Sequence, residues 1–250
     1  MSPSVCLGRA HCRIGAGVIG FVGDLVDQIR LHYPQLLRGY GITIYLTIVA
    51  MFLAMIVGLL VALLRTSDFK PLRWLSAMYV EFFRNTPLLV QLYFLFFGLP
   101  KLPPFHMPLY GQITWLLSPT EAAIIGLTLY TGAYTTEALR SGLISIDKGQ
   151  TEAARALGLS YVQTRLFVIV PQAFRVAVPL LTSILSALFR NTALVSTIGV
   201  VELLNAADRI QQQNFKTFEL FAVAGVLYLS LTLPLAFASN RFEHWVARAR

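Results

Sequence analysis

The chain has 250 residues, of which 56% are hydrophobic and only 13% charged, with a formal net charge of +8. A soluble domain carries about 25% charged residues, so the composition argues against a soluble enzyme and for a polytopic membrane protein. In so apolar a chain the basic excess marks the flanks of membrane spans, and no nucleic-acid partner is expected.

Residues before Val18 form no clear pattern, which leaves an over-long gene start as one reading. Cys6 and Cys12 match no zinc or redox spacing and receive no role. Phe21, Val22, Leu25, Val26 and Ile29 then fall on one helical face, opposite Asp24, Asp27 and Gln28. That pattern predicts an amphipathic helix lying in the membrane interface. The first 38 residues are accordingly read as an N-terminal extension, 39–241 as one membrane domain, and 242–250 as a cytoplasmic tail.

An uncharged stretch from Gly39 to Leu64, bounded by Arg38 and Arg65, is the clearest span. A second covers about Thr86 to Leu99 after a helix-like stretch from Trp74 to Phe83, and is short enough to need shielding or extension. The third runs from Thr120 to Thr136, between Glu121 and Glu137. The fourth, Val176 to Phe189, contains Pro179, and the fifth, Leu220 to Asn240, contains Pro234. The predicted class is all-α, a bundle of about five transmembrane helices, since a β-barrel needs alternating strands of about ten residues.

Lys and Arg set the orientation. With the N-terminus outside, inner segments hold 12 of the 20 basic residues and outer ones 8. This favours that topology and places 147–171 in the cytoplasm.

In that segment Asp147 and Gln150 have the spacing of a helix cap and its reciprocal partner. Helix-forming residues follow through Leu157. Gly158 supplies a left-handed helix end. Ser160 with Gln163 starts a second helix, which Pro171 is expected to end or kink. The plain alternative is a surface helical hairpin.

EAARALGLSYVQTRLFVIVP, residues 152–171, resembles the EAA docking loop of ABC importer permeases. YVEFFRNTPLLVQ, TGAYTTEALRSGLISIDKGQ and RNTALVSTIGVVELL, beginning at Tyr79, Thr131 and Arg190, resemble flanking stretches of the polar amino acid branch, in the family's order. The family's Ile-x-Leu-Pro ending here reads Val168-Ile169-Val170-Pro171. The resemblance implies an ABC transmembrane type-1 domain in the cell inner membrane, with Glu152, Ala153, Ala154, Gly158 and Pro171 as ATPase-docking residues. It implies as partners a cytoplasmic ATPase that binds ATP and Mg, a second permease subunit, identical or related, and an extracytoplasmic solute-binding protein. The implied cargo is a polar L-amino acid. All four lysines follow a residue other than Gly, so the G-K-[ST] end of a P-loop is missing and nucleotide is expected on another subunit.

Two further groups bear on function. Glu137 and Arg140 are spaced to pair, either as a coupling ion pair or as a plain anchor of the loop. Asn191, Thr192 and Ser196 follow a short span, and with Tyr130 and Tyr134 are candidates to line a translocation path. Helix capping and interfacial anchoring explain the same residues. Gly126 and Gly132 are expected at close helix contacts. No nucleophile, metal cluster or acid–base pair emerges, so the chain is not expected to be an enzyme. An ion-coupled secondary amino acid carrier is the alternative, and it predicts intramembrane acidic or His relays.

Overall fold

The computed structural model describes the backbone of residues 9–67, 69–101, 108–109, 112–113 and 117–248, and the side chains of 23–67, 69–101, 117–239 and 241. Cys6 and the tip of the N-terminal extension lie outside the described residues, as do the side chains of Cys12 and of the tail beyond Arg241.

Helix α1, Arg9–Arg65, is a single helix with Pro34 inside it. The expected amphipathic stretch is therefore continuous with the first span and is not a separate helix lying apart. The reason is visible at its polar face. Asp24 pairs with Lys216 at 3.1 Å and the Gln28 side chain accepts from Asn214 at 2.8 Å, both at the far end of the fold. Those partners hold the extension against the protein. Within the span two stripes at four-residue spacing divide the helix. Ala50, Ala54 and Ala62 are fully buried, with Gly58 between them close against Thr135. Ile48, Phe52, Ile56 and Leu60 remain exposed, as a lipid-facing surface requires. Small residues let backbones approach where lipid offers no hydrophobic drive.

Helices α2, Lys70–Asn85, and α3, Leu88–Tyr93, meet at Pro87 with a bend of 105°. The chain continues through a π turn, Phe94–Gly98, and a 3-10 turn, Leu99–Lys101. The shortness of the expected second span is thus resolved by a bent pair. Gln91, buried at the bend, donates to the carbonyls of Phe83 and Thr86, which a broken helix leaves open. A two-residue antiparallel ladder, Pro108–Leu109 with Gln112–Ile113, is the departure from helix among the described residues.

Helix α4, Pro119–Ile144, starts at a complete capping box between Ser118 and Glu121. It packs against α1, α2 and α7, Val170–Asn191. Among the described residues, three helical stretches are long and apolar enough to cross a membrane, four with the bent pair. The more polar α4 completes the bundle from inside. More than half of its residues are buried, so its surface meets protein and not lipid. Its glycines sit where neighbours press closest: a Cβ at Gly126 would strike Leu92, one at Gly132 the Tyr79 hydroxyl, and one at Gly142 the Ala173 carbonyl. The close contacts expected at Gly126 and Gly132 are present.

Between α4 and α7 the chain forms α5, Lys148–Ala156, a short turn of helix α6, Tyr161–Gln163, and a π segment, Thr164–Ile169. After α7 a 3-10 segment, Thr192–Ile198, leads to α8, Leu203–Asn214, and α9, Thr217–Arg248. Helix α9 packs on α7 and α8. Thr47, Thr136 and Thr182 each return their hydroxyl to the carbonyl four residues earlier, which satisfies them inside apolar surroundings.

Candidate functional site

The segment 147–171 is built from caps. Asp147 Oδ1 accepts from the Gly149 amide and starts α5. The reciprocal bond from Gln150 is not made; its side-chain oxygen accepts from Gln172 at 3.4 Å and ties α5 to α7. Gly158 adopts φ +85°, the Gly158 amide donates to the Arg155 carbonyl, and the Leu159 amide reaches back to Ala154 at 3.2 Å. This is the left-handed helix end that the glycine predicts. Ser160 and Gln163 then close a full capping box.

Ala154 is buried, whereas Glu152 and Ala153 are exposed and Leu157 is 82% exposed. Four of the five expected docking residues thus lie on or end one projecting helix. The fifth lies outside that helix, and its expected part in the backbone differs. Pro171 neither ends nor kinks the second helix; it occupies the first turn of α7, directly after the π segment. The π segment ends with the Val170 amide donating to the Arg165 carbonyl, five residues back.

A long-range contact joins this segment to the end of α1. The Arg165 guanidinium donates to the Thr66 hydroxyl at 2.7 Å and to the Thr66 carbonyl at 3.0 Å, while lying over the Tyr161 ring. The contact spans 99 residues of sequence, and no local pattern announces it.

Glu137 and Arg140 pair as their spacing predicts, at 2.8 Å. Sequence reasoning missed the third member. Arg65, at the end of α1, brings Nη1 within 3.0 Å of the other Glu137 oxygen, in ion-pair but not hydrogen-bond geometry. Glu81 of α2 stands 4.0 Å from Arg65. Acidic residues of α2 and α4 therefore meet at Arg65 of α1, and the Glu137 carboxylate among them is mostly buried.

The residues considered for a path are largely committed locally. Thr192 is buried and donates to the Phe189 carbonyl, and Ser196 donates to that of Ala193. Asn191 is the last residue of α7. Tyr130 and Tyr134 bring their hydroxyls to 3.2 Å, with the Arg84 guanidinium over the Tyr134 ring. Tyr130 packs on the same apolar cluster as Val195 and Ile198, so the two groups are near neighbours. Neither the cavity of about 710 Å³ beside Arg38 and Arg209 nor the one of about 310 Å³ beside Arg165 is lined by any of them.

Glu202 is a residue that the sequence reading passed over. It is fully buried and caps α8 by accepting from the amides of Leu204 and Asn205. The Tyr228 hydroxyl of α9 donates to it at 2.6 Å and Thr43 of α1 at 3.5 Å. A lone acid within the apolar run from Ile198 to Leu204 was the available signal.

The model of a family described as binding-protein-dependent transport system inner membrane component matches residues 34–248. The probable glutamine ABC transporter permease protein GlnM of Bacillus subtilis (strain 168) is 32% identical over 212 residues, covering 85% of this chain and 93% of that protein. The probable glutamine permease GlnP of the same organism is 37% identical over 226 residues, covering 89% and 97%. A solved amino acid ABC transporter, crystallised with histidines, superposes with a TM-score of 0.75 at 30% identity over 88% of this chain and 97% of that one.

Proposed function

The chain belongs to the family of binding-protein-dependent transport system inner membrane components, a non-catalytic permease subunit and not an ion-coupled carrier, and from that premise we propose that it imports a polar L-amino acid. The substrate class rests on relatives named for glutamine and on the amino acid transporter whose fold it shares. ATP and Mg belong to a separate cytoplasmic ATPase. A second permease subunit completes the pore, a solute-binding protein delivers the cargo from outside, and the chain crosses the inner membrane several times. Residues 39–241 form the transport domain, with the N-terminal extension and the tail outside it.

The observation that carries the mechanism is the projecting helix α5, with Glu152, Ala153 and Leu157 on its open surface. In this reading α5 seats in a groove of the ATPase. Closure of two ATPases on ATP draws the two docking helices together. Arg165 passes that displacement to the end of α1 through Thr66. Arg65 passes it from α1 to α4 through Glu137. Pulling both helix ends inward closes the cytoplasmic side and opens the other, as alternating access requires. Glu137 and Arg140 act here as a joint and not as a substrate site. Tyr130, Tyr134, Asn191, Thr192 and Ser196 border the path through their packing.

The test is charge reversal at Glu152. A like charge at a partner surface costs several kcal/mol, whereas removing a merely solvated charge costs under about 0.5 kcal/mol. Glu152→Lys is expected to reach the membrane at normal levels, lose its ATPase in pull-downs and lose uptake. A Lys variant that keeps its ATPase and transports normally removes α5 from the docking surface.

A further inference from the structure

Between the projecting segment and the end of α1 lies a cavity of about 310 Å³. Its wall holds Thr66, Lys148, Thr151, Tyr161, Thr164 and Arg165. Two cations and four hydroxyl-bearing side chains thus border one space, and no acidic side chain is among the described residues that line it. Lys148 is exposed, and no described residue pairs with its ammonium. Arg165 commits one N–H of each terminal nitrogen to Thr66, which leaves three of its five donors uncommitted. Thr164 is 1% exposed, yet its hydroxyl has no hydrogen-bond partner, a costly condition that a nearby acceptor would relieve. The rest of the lining is an apolar rim of Leu143, Ile144, Ile146 and Ile169, with Ile144 63% exposed.

We propose that this cavity binds a phosphate group, supplied by the headgroup of an anionic phospholipid, whose acyl region rests on the apolar rim. A phosphodiester accepts from an ammonium, a guanidinium and hydroxyls together, and basic pockets among helix ends on the cytoplasmic side suit such headgroups. The occupant would brace α5 and the π segment against α1. The proposal rests on the reading that 147–171 lies at the cytoplasmic membrane edge.

Native mass spectrometry of the full-length permease tests it, with dioleoylphosphatidylglycerol and dioleoylphosphatidylcholine offered in competition. The wild type should retain the anionic lipid in preference, by about fivefold for each cation engaged. Lys148→Gln should lower that preference by about fivefold. This variant carries the test because Lys148 holds no contact that the fold needs, whereas Arg165→Gln also breaks the bond to Thr66. Inorganic phosphate that displaces the glycerolipid at millimolar concentration assigns the site to the free ion. Lipid retained against phosphate assigns it to the membrane. Equal retention of the two lipids, or a preference unchanged by Lys148→Gln, overturns the proposal. The measurement needs neither ATPase nor uptake, so its failure is distinct from failure of the docking reading.

Discussion

Two single residues show how local chemistry fixes this fold and where a change would be felt. Gly158, at φ +85° with open space around it, is tolerant of bulk but not of a β-branched backbone. Valine at positive φ is strongly strained, so Gly158→Val should open the turn after α5 without touching any span. The expected outcome is normal membrane abundance with poor recruitment and stimulation of the ATPase; normal uptake would mean the turn is dispensable. Glu202 is the opposite kind of residue. Its carboxylate serves amides at the start of α8, Thr43 on α1 and Tyr228 on α9 at once. Glu202→Ala leaves those donors buried and unpaired, at about 1–3 kcal/mol for each left unsatisfied. A clear drop in the thermal unfolding midpoint of the purified protein is expected, with a smaller drop for Glu202→Gln.

At the scale of elements, the question is how the projecting segment communicates with the bundle, and Arg165 is the test. Its two bonds to Thr66 are charge-assisted, a kind worth about 1.5–3 kcal/mol each. Arg165→Ala leaves the open surface of α5 intact, so ATPase binding should persist while uptake per bound ATPase falls, by about fivefold or more. Uptake and binding that fall together would mean that Arg165 only shapes the docking helix. This element also marks the boundary of what the chain's letters reveal. The Gly158 turn, the Ser160–Gln163 box and the Glu137–Arg140 pair are legible because each depends on residues within four positions. Arg65 beside Glu137 and Thr66 beside Arg165 are not legible, because they arise only when separate helices converge. The same holds for Glu202, whose partners come from three elements. Pro171 misled for a different reason. Proline reports a missing donor and predicts a helix boundary, but here it falls where a π segment passes into α7, and a π segment has no sequence signature of comparable strength. The α1 extension likewise has the periodicity of an interfacial helix, and the partners at Asn214 and Lys216 that its polar face meets are not legible in it.

At the scale of the whole molecule, hydropathy delivers the outer helices and undercounts the inner one. α1, α7 and α9 are apolar because they face lipid, whereas α4 is enclosed and can carry threonines, glycines and a charged end. Burial, and not composition, makes it part of the bundle. The orientation then rests on the basic residues, 12 against 8 of 20, and it puts Ser160 inside and Phe215 outside. Both positions are suited to labelling. Ser160 is exposed at the start of α6, and Phe215, 82% exposed, sits at the turn between α8 and α9. Between them the chain crosses the bundle once, through α7, so single cysteines at the two sites must react from opposite faces. In intact cells a membrane-impermeant maleimide should label Phe215→Cys and spare Ser160→Cys, and inverted vesicles should reverse the result. Native Cys6 and Cys12 are replaced by serine in both variants so that the signal comes from the new thiol alone. Labelling of Ser160→Cys from outside would place the projecting helix where no cytoplasmic ATPase can reach it. Alternating access driven through α5 would then fail at its first step, whatever the geometry of Arg165 and Thr66.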